Sequence, residues 1–487
     1  MRRRLNIPML GRIIGSLMLL EACFIAIPLI TCLVYGESDW IWFAATMVLT
    51  AVIGFCLSRI RPERKQISKR DSYLLTGSVW IVFSIMGMLP FIFGSPHLSV
   101  SSAFFESMSA FTTTGATTVD LSTVKLAHGI LMWEALMQWL GGMGIILFTL
   151  AIIPALNTNG GLHMFNAEVT GVIHDKLRPR ISQTALSFWG MYTFFTLVLA
   201  ALLWIGPMSL FDSLCHAFGT LSTGGFSTRP EGLQFYNSDY VYIVVTVFMF
   251  IGGVNFAMIY RMLQGRFRIV SKNETIRCYI GAILLMSLLF AVSSLLSGEV
   301  SSWRDVTLVP LFQVVSTITS TGYLAPGFTI FSSFVLALTF IMMFSGGCAG
   351  STSGGAKIDR LLYLKKFLGN ELNRCIHPNA ILPVKMNGEA VDRDLVAKVV
   401  AFLALYLTCI IAGGIILSMM GQPAVDSFFS AFSCISNTGL GASVTGYGED
   451  FTSIPDSAMW VLSMLMLIGR LEIFTILAIL TPAFWKR

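Results

Sequence analysis

Apolar residues run through this chain in long stretches separated by short polar segments. A helix needs about 20 apolar residues to cross a hydrocarbon core of about 30 Å. Ten stretches approach or exceed that length, and the eighth is interrupted by glycines. This pattern predicts an all-α polytopic membrane protein. The predicted spans lie near residues 11–35, 40–58, 72–93, 128–153, 183–206, 239–263, 276–297, 329–367, 396–420 and 458–482.

The composition and the basic residues agree with this pattern. The 487 residues are 55% hydrophobic and only 12% charged, outside the usual range of soluble domains. If the N-terminus is inside, only Lys125, Arg229 and Arg304 of the 32 Lys and Arg residues fall in outer segments, and Arg470 falls in the last span. This positive-inside asymmetry predicts that both termini are cytoplasmic. The outer segments hold twelve acidic residues, which either concentrate cations or simply remain after the basic residues sort inward.

A Thr-Gly dipeptide recurs in the outer segments at intervals of about 100 residues. Each copy follows an amphipathic stretch that is too short to cross a membrane and too apolar for a free loop. These stretches predict re-entrant helices that dip in from outside. They cover residues 101–111, 209–220, 304–317 and 424–435, and alignment on Thr-Gly matches Gly115, Gly224, Gly322 and Gly439.

The chain therefore divides into two N-terminal helices with a basic inner loop, followed by four repeats. Each repeat contains an outer helix, a short pore helix, a glycine turn and an inner helix. The predicted boundaries are 1–70 for the N-terminal part and 71–182, 183–272, 273–395 and 396–487 for the repeats.

Four extended glycine turns inside a membrane point to ion conduction. Irregular backbone is tolerated at membrane depth only where protein buries it or water bathes it, so four equivalent turns most simply surround one axis. On that axis, the carbonyls of the turns can replace the water shell of a dehydrated cation. Pointing the carbonyls at the axis requires positive φ angles, which glycine permits. The C-terminal ends of the pore helices also favour a positive charge there. Neighbouring hydroxyl and amide side chains are expected to hydrogen-bond the turns from behind. The candidate filter residues are Thr112, Thr113, Thr114, Gly115, Leu221, Ser222, Thr223, Gly224, Thr319, Ser320, Thr321, Gly322, Ser436, Asn437, Thr438 and Gly439.

Acidic residues lie near the outer starts of three pore helices, at Asp212, Asp305 and Asp426. We interpret them as helix-start acids that complement the helix dipole. Direct coordination of the ion is the alternative.

The glycine-rich interruption of the eighth span is the first candidate for a gate. Five glycines in ten residues disfavour a continuous helix, and the segment returns directly from the third glycine turn. We expect a loop under the filter, whereas a kink or a close helix contact is the alternative. The gate candidates are Gly346, Gly347, Gly350, Ser351, Gly354 and Gly355.

Arg470 is the second gate candidate. A charge within a span is costly and normally has a partner or faces water. Arg470 has a structural role if it pairs with Glu472 or with free carbonyls of the glycine loop. It has a functional role if its positive charge repels cations below the filter. The two roles are compatible.

The turn motifs TTTGA, STGGFST, STGY and NTGLG resemble the four filter motifs of the Trk/Ktr/HKT superfamily of potassium transporters. With two additional N-terminal helices, the whole chain is similar to the bacterial TrkH/TrkG-type membrane subunit, including QWLGGMGII (138–146), HDKLRPR (174–180), GGCAGSTSGGAK (346–357) and IGRLEIFT (468–475). The resemblance implies gated K⁺ uptake across the bacterial inner membrane, with the glycine loop as a movable barrier and an arginine at the constriction. Glycine rather than serine at the first filter position favours K⁺ over Na⁺ in this family. Leu440 stands where the bacterial family usually has proline, and we expect no change in selectivity from it.

The resemblance also implies partners. We expect a homodimer with one pore per chain, in contact with membrane lipid and with a cytosolic TrkA-type ring. The inner loops carry no nucleotide-binding fingerprint, so a nucleotide (ATP/ADP or NAD) is expected on that ring only. No cofactor, nucleic acid or transition metal is expected on this chain, since its histidines lack metal-ligand spacing.

Two other classes of function make different demands on the sequence. A symporter that couples K⁺ to H⁺ or Na⁺ usually has inverted repeats and mid-membrane ionisable residues, whereas these four units share one orientation. A membrane enzyme would need a catalytic cluster at a membrane face, and the sequence offers none. The sequence therefore favours a channel-like path and a protein that is not an enzyme.

Overall fold

The computed structural model describes residues 5–63, 67–144, 181–297, 302–325, 333–441, 451–452 and 454–486. The last nine residues of the span predicted at 128–153 and the motif HDKLRPR lie outside these residues. The helices of the first half are α1 (Ile7–Tyr35), α2 (Trp40–Ser58), α3 (Lys69–Gly87), α4 (Leu89–Phe93), α5 (Val100–Phe111), α6 (His128–Gly142), α7 (Ile181–Ile205), α8 (Leu210–Leu221), α9 (Asp239–Gly252), α10 (Phe256–Leu263) and α11 (Phe267–Lys272). Those of the second half are α12 (Glu274–Ser297), α13 (Trp303–Val306), α14 (Leu308–Ile318), α15 (Ser333–Ser345), α16 (Ile358–Ile376), α17 (Arg393–Met419), α18 (Ala424–Ser436), α19 (Asp456–Arg470), α20 (Phe474–Leu480) and α21 (Pro482–Trp485).

The described residues form a polytopic all-α membrane fold. Six helical segments are long and apolar enough to cross a membrane, and two bent helix pairs raise the number to eight. A two-stranded antiparallel hairpin, β1 (Lys385–Met386) and β2 (Glu389–Ala390), lies between α16 and α17. The membrane character and most span positions predicted from the sequence are confirmed.

Two predicted spans, 239–263 and 458–482, are broken rather than continuous. α9 and α10 meet at 106°, and α19 and α20 meet at 118°. At the first break the side chain of Asn255 accepts a hydrogen bond from the backbone N–H of Ala257 and so starts a new helix. At the second break Glu472 and Ile473 have positive φ, at 54° and 48°, a conformation that a helix cannot continue through.

Four short helices, α5, α8, α14 and α18, match the re-entrant stretches predicted from the sequence. The third differs at its start, because α13 forms a separate turn before α14. Ser99 and Ser209 cap α5 and α8 by accepting backbone hydrogen bonds with their hydroxyl oxygens. Acidic side chains occupy the first turns of α8, α13 and α18, as the interpretation of Asp212, Asp305 and Asp426 as helix-start acids requires.

The short helices pack in a closed ring. Each short helix contacts a helix that precedes it in the chain. It also contacts a helix that comes after another of the short helices. Thus α8 packs on α6, α14 on α9, and α18 on α15, and α5 closes the ring by packing on α19. Their C-terminal ends, with the turns that follow, are therefore buried at the centre of the molecule.

Candidate functional site

The segments that follow the four short helices share one backbone conformation. We call them the glycine turns, residues 112–116, 222–226, 319–323 and 436–440. The second residue of each turn has a φ near 54°, a rare value for a residue other than glycine, and the fourth residue is a glycine with a φ between 72° and 84°. The second residues are Thr113, Thr223, Ser320 and Asn437, and the glycines are Gly115, Gly225, Gly322 and Gly439.

This geometry corrects the register predicted for the second turn. The alignment on Thr-Gly matched Gly224 to the other glycines, but Gly225 has the positive φ of 84°. Leu221 is the last residue of α8, as Phe111 is of α5, and therefore lies before the turn. The sequence offers two adjacent glycines, and only the backbone conformation distinguishes them.

Hydrogen bonds within each turn give the same register. The residue before the turn glycine donates its backbone N–H to the carbonyl five positions earlier. The pairs are Thr114 to Ser109 at 2.8 Å, Gly224 to Gly219 at 2.8 Å, Thr321 to Ser316 at 2.8 Å and Thr438 to Ser433 at 3.0 Å. Each turn is thus anchored to the last turn of its own helix.

The turn glycines also pack against one another around a closed ring. A Cβ added to Gly115 would lie less than 3.0 Å from the carbonyl oxygen of Gly224, closer than real Cβ contacts. The same holds for Gly225 against Thr321, for Gly322 against Thr438 and for Gly439 against Thr114. Each turn glycine therefore contacts the carbonyl of the residue just before the glycine of the next turn. No side chain fits between neighbouring turns.

Hydroxyl groups support three of the turns from behind, as the sequence predicts. The side-chain oxygens of Thr112 and Thr114 lie 2.8 Å apart and share a hydrogen bond. Equivalent pairs join Thr319 to Thr321 at 2.8 Å and Ser436 to Thr438 at 2.9 Å.

The second turn lacks this pair because Gly224 has no side chain. A Cβ there would lie less than 3.0 Å from the side-chain amide of Gln138 on α6, which fills the space. Gln138 is fully buried, and its amide oxygen accepts a hydrogen bond from the backbone N–H of Phe226 at 3.4 Å. A residue outside the turn thus replaces the missing threonine, which sequence reasoning did not find.

The glycine-rich segment between α15 and α16, residues 346–357, is the predicted loop. We call it the glycine loop. Two of its backbone N–H groups bind the third and fourth glycine turns. Gly354 donates to the Ser320 hydroxyl at 2.5 Å, and Gly355 donates to the Ser436 carbonyl at 2.9 Å. The hydroxyl of Thr352 donates to the Leu221 carbonyl at the end of α8 at 3.2 Å. The loop therefore touches the region of three turns at once.

The loop is also bound to the break between α9 and α10. Cys348 and Thr352 donate backbone N–H groups to the carbonyls of Gly253 and Gly252 at 2.9 and 3.1 Å. The side-chain amide of Asn255 donates to the Ala349 carbonyl at 2.6 Å. The break in this span thus exposes the carbonyls that hold the loop.

Arg470, at the end of α19, donates hydrogen bonds to backbone carbonyls of two separate segments, the glycine loop and the end of α6. Its guanidinium donates to the Thr352 carbonyl in the glycine loop at 2.9 Å and to the Gly142 carbonyl at 3.0 Å, and it also contacts the Gly141 carbonyl. Glu472, one of the partners considered from the sequence, forms an ion pair with Arg360 on α16. The predicted bond from Arg470 to a carbonyl of the glycine loop is observed.

Lys357 is a further charged residue at this site that sequence reasoning missed. It is only 7% exposed, has a φ of 73°, and its ammonium group donates to the Ser353 carbonyl within the loop. The signal was present in the sequence, because a lysine that follows a glycine run inside an apolar span is costly unless it has a role. Arg470 and Lys357 therefore both donate hydrogen bonds to carbonyls of this loop.

No group of three or more His, Cys, Asp or Glu side chains in the described parts of the chain is arranged to hold a metal ion. The chemistry available at the centre is that of backbone carbonyls, hydroxyls and basic side chains.

The long apolar helices around a closed ring of buried turns define a polytopic all-α membrane protein. The family model described as TrkH, cation transport protein, matches residues 41–486. The chain is 34% identical over 479 residues to the Trk system potassium uptake protein TrkH of Escherichia coli (strain K12), covering 98% of both chains. It is 32% identical to the Trk system potassium uptake protein TrkI of Halomonas elongata, covering 98% of this chain and 96% of that one. The crystal structure of the potassium transporter TrkH from Vibrio parahaemolyticus matches with a TM-score of 0.87 at 32% identity, covering 99% of this chain and 100% of that chain. The chain therefore belongs to the TrkH family of cation transport proteins.

Proposed function

We propose that this chain takes up K⁺ through a path lined by the four glycine turns. The observation that carries the proposal is the closed ring in which each turn glycine packs against a carbonyl of the next turn. The relatives' names, which describe potassium uptake, support the choice of ion.

Backbone carbonyls give this path its selectivity. K⁺ enters dehydrated, and carbonyl oxygens of the four turns replace its water shell. The C-terminal ends of the short helices add partial negative charge near the ion. Gly115 in the first turn favours K⁺ by resemblance, because serine at that position goes with Na⁺ permeation in the plant branch of the superfamily.

The glycine loop and Arg470 form the gate. The loop lies against three turns, Lys357 holds it through the Ser353 carbonyl, and Arg470 places positive charge beside it, which repels a cation leaving the turns. Conduction requires the loop to leave its present contacts. The four repeats, with the boundaries given above, supply one turn each.

Regulation follows from the same resemblance. A cytosolic TrkA-type ring that binds the nucleotide moves the gate, and the chain functions as a homodimer in the bacterial inner membrane with both termini cytoplasmic.

The test is K⁺ and Na⁺ flux into liposomes that contain the purified chain, with and without Gly115→Ser. We expect the substitution to lower the K⁺/Na⁺ flux ratio about tenfold, because a side chain at this position pushes on the Gly224 carbonyl. Gly281→Ser on α12 is the matched control, since a side chain there meets nothing within 4 Å. An unchanged ratio and rate in Gly115→Ser would refute the assignment of the turns.

The same preparation separates a channel-like path from coupled symport. Unitary currents in a planar bilayer are expected for the gated path. Flux without unitary currents that depends on a H⁺ or Na⁺ gradient would instead establish the symporter.

A further inference from the structure

After the first three glycine turns, the outgoing chain is hydrogen-bonded to the preceding short helix at a recurring position. Glu106, His216 and Gln313 each lie nine residues before their turn glycine, at Gly115, Gly225 and Gly322. The three side chains differ chemically, yet all are at most 1% exposed. We call them the anchor residues.

In the first turn the anchor is a carboxylate. One oxygen of Glu106 accepts hydrogen bonds from the hydroxyls of Thr117 and Thr118, at 3.1 and 2.8 Å, and from the backbone N–H of Thr118. These residues lie two and three positions after Gly115. Both threonines are therefore held toward α5 rather than free in the outer mouth.

In the second turn the anchor is an imidazole. His216 Nδ1 lies 2.8 Å from the Asp212 carbonyl, which can only accept, so this nitrogen carries the proton. His216 Nε2 lies 3.1 Å from the hydroxyl of Ser227, two positions after Gly225, and accepts from it in the neutral ring. The next residue, Thr228, donates its hydroxyl to the Asp212 carboxylate at 2.6 Å.

In the third turn the anchor is an amide. The side-chain oxygen of Gln313 accepts the backbone N–H of Ala325 at 2.9 Å. Ala325 lies three positions after Gly322, as Thr118 does after Gly115. In the fourth repeat Ser430 occupies the corresponding position, and residues 442–450 lie outside the described part of the chain.

Three different side chains thus play the same part. Each is an acceptor on the short helix, and each accepts a hydrogen bond from the segment that leaves the turn. The inner end of each turn is already fixed by the bond from the residue before the glycine to the helix. The anchor fixes the outer end, so the turn glycine is held between two bonds to one helix.

We propose that Glu106, His216 and Gln313 are positioning residues that fix the spacing of the turn carbonyls and so maintain discrimination between K⁺ and Na⁺. This inference rests on the proposed function. Because each turn glycine touches the carbonyl of the next turn, loosening one anchor displaces the neighbouring turn as well.

The test measures the Na⁺/K⁺ permeability ratio of the full-length chain in liposomes. Glu106→Ala and Gln313→Ala remove the acceptor and are expected to raise the ratio about tenfold. Glu106→Gln and Gln313→Glu keep an acceptor oxygen in place and are expected to stay within about twofold of the unsubstituted chain. This rescue separates positioning from a general loss of packing.

Two further variants keep the result interpretable. Ser107→Ala, next to Glu106 on α5, alters a buried polar side chain whose hydroxyl contacts Met137 and should leave the ratio unchanged. Ser227→Ala removes the donor to His216, together with the acceptor of the Arg229 backbone N–H, from a half-buried segment and should raise the ratio about threefold.

The outcomes distinguish this inference from the function on which it rests. If Gly115→Ser alters selectivity in the same preparation but the anchor variants and Ser227→Ala do not, the anchors have no positioning role. If Gly115→Ser also changes nothing, the assignment of the glycine turns falls and this inference falls with it.

Discussion

The glycine turns and the glycine loop are both rich in glycine, yet they are held in opposite ways. Each turn is bonded to its own short helix through the residue before the glycine. The loop is held by residues distant in the chain, including Gly252, Ser320, Ser436 and Arg470. The turns are locally anchored and share one conformation, whereas the position of the loop depends on several elements distant in the chain. This difference is consistent with the proposed roles of the turns as a rigid selector and of the loop as a movable barrier.

The largest expected effect comes from placing a side chain within the ring of turns. Gly225→Ala adds a Cβ that collides with the Thr321 carbonyl at a φ of 84°, so we expect K⁺ uptake to fall at least about 100-fold. The measurement is K⁺ uptake by cells that lack other uptake systems, with membrane levels of the chain checked.

Its control is the neighbouring glycine. Gly224→Thr combined with Gln138→Ala rebuilds the hydroxyl-supported pattern of the other turns and should keep uptake within about tenfold of the unsubstituted chain. Loss of uptake in this double variant together with normal uptake in Gly225→Ala would show that Gly224, not Gly225, is equivalent to the glycines of the other turns.

The next effect concerns the charge that binds the loop. Arg470→Ala removes hydrogen bonds to the Thr352 and Gly142 carbonyls and a positive charge below the turns. We expect K⁺ flux without any cytosolic partner to rise about tenfold. Liposome flux measures it, and Arg374→Ala, at the C-terminal end of α16, is the control. A folded variant that conducts no more than the unsubstituted chain would contradict an electrostatic barrier.

A smaller effect of the same sign is expected from a change within the loop. A Cβ on Gly354 would lie less than 3.0 Å from the Ser436 carbonyl, so Gly354→Ala should push the loop away from the fourth turn. We expect unregulated flux to rise about threefold, with unchanged K⁺/Na⁺ ratio, because the fourth turn keeps its own bond from Thr438 to the Ser433 carbonyl. Gly369→Ala on α16, where a side chain meets nothing within 4 Å, is the matched control. A changed ratio would show that the loop and the turns are not mechanically separate.

Much of the architecture could be predicted from the sequence. The short helices were placed within a few residues, because an amphipathic stretch too short for a span has few alternatives in a membrane protein. The glycine loop was located because five glycines interrupt one apolar span.

Other features depend on tertiary contacts that no local pattern contains. The register of the second turn was wrong because Gly224 and Gly225 are adjacent and only one has positive φ. The breaks after Gly252 and Arg470 lie inside runs apolar enough to be continuous spans. The role of Gln138 as a substitute for a missing threonine follows from the packing of α6 against the second turn, not from its own neighbours in sequence.

The most direct test of the central claim is an experimental structure of this chain in Rb⁺, with the ion located by anomalous scattering. The account predicts Rb⁺ peaks at the centre of the ring formed by Gly115, Gly225, Gly322 and Gly439, within about 3 Å of turn carbonyls. An occupied Rb⁺ site elsewhere in the membrane region, with no peak between the four turns, would contradict it.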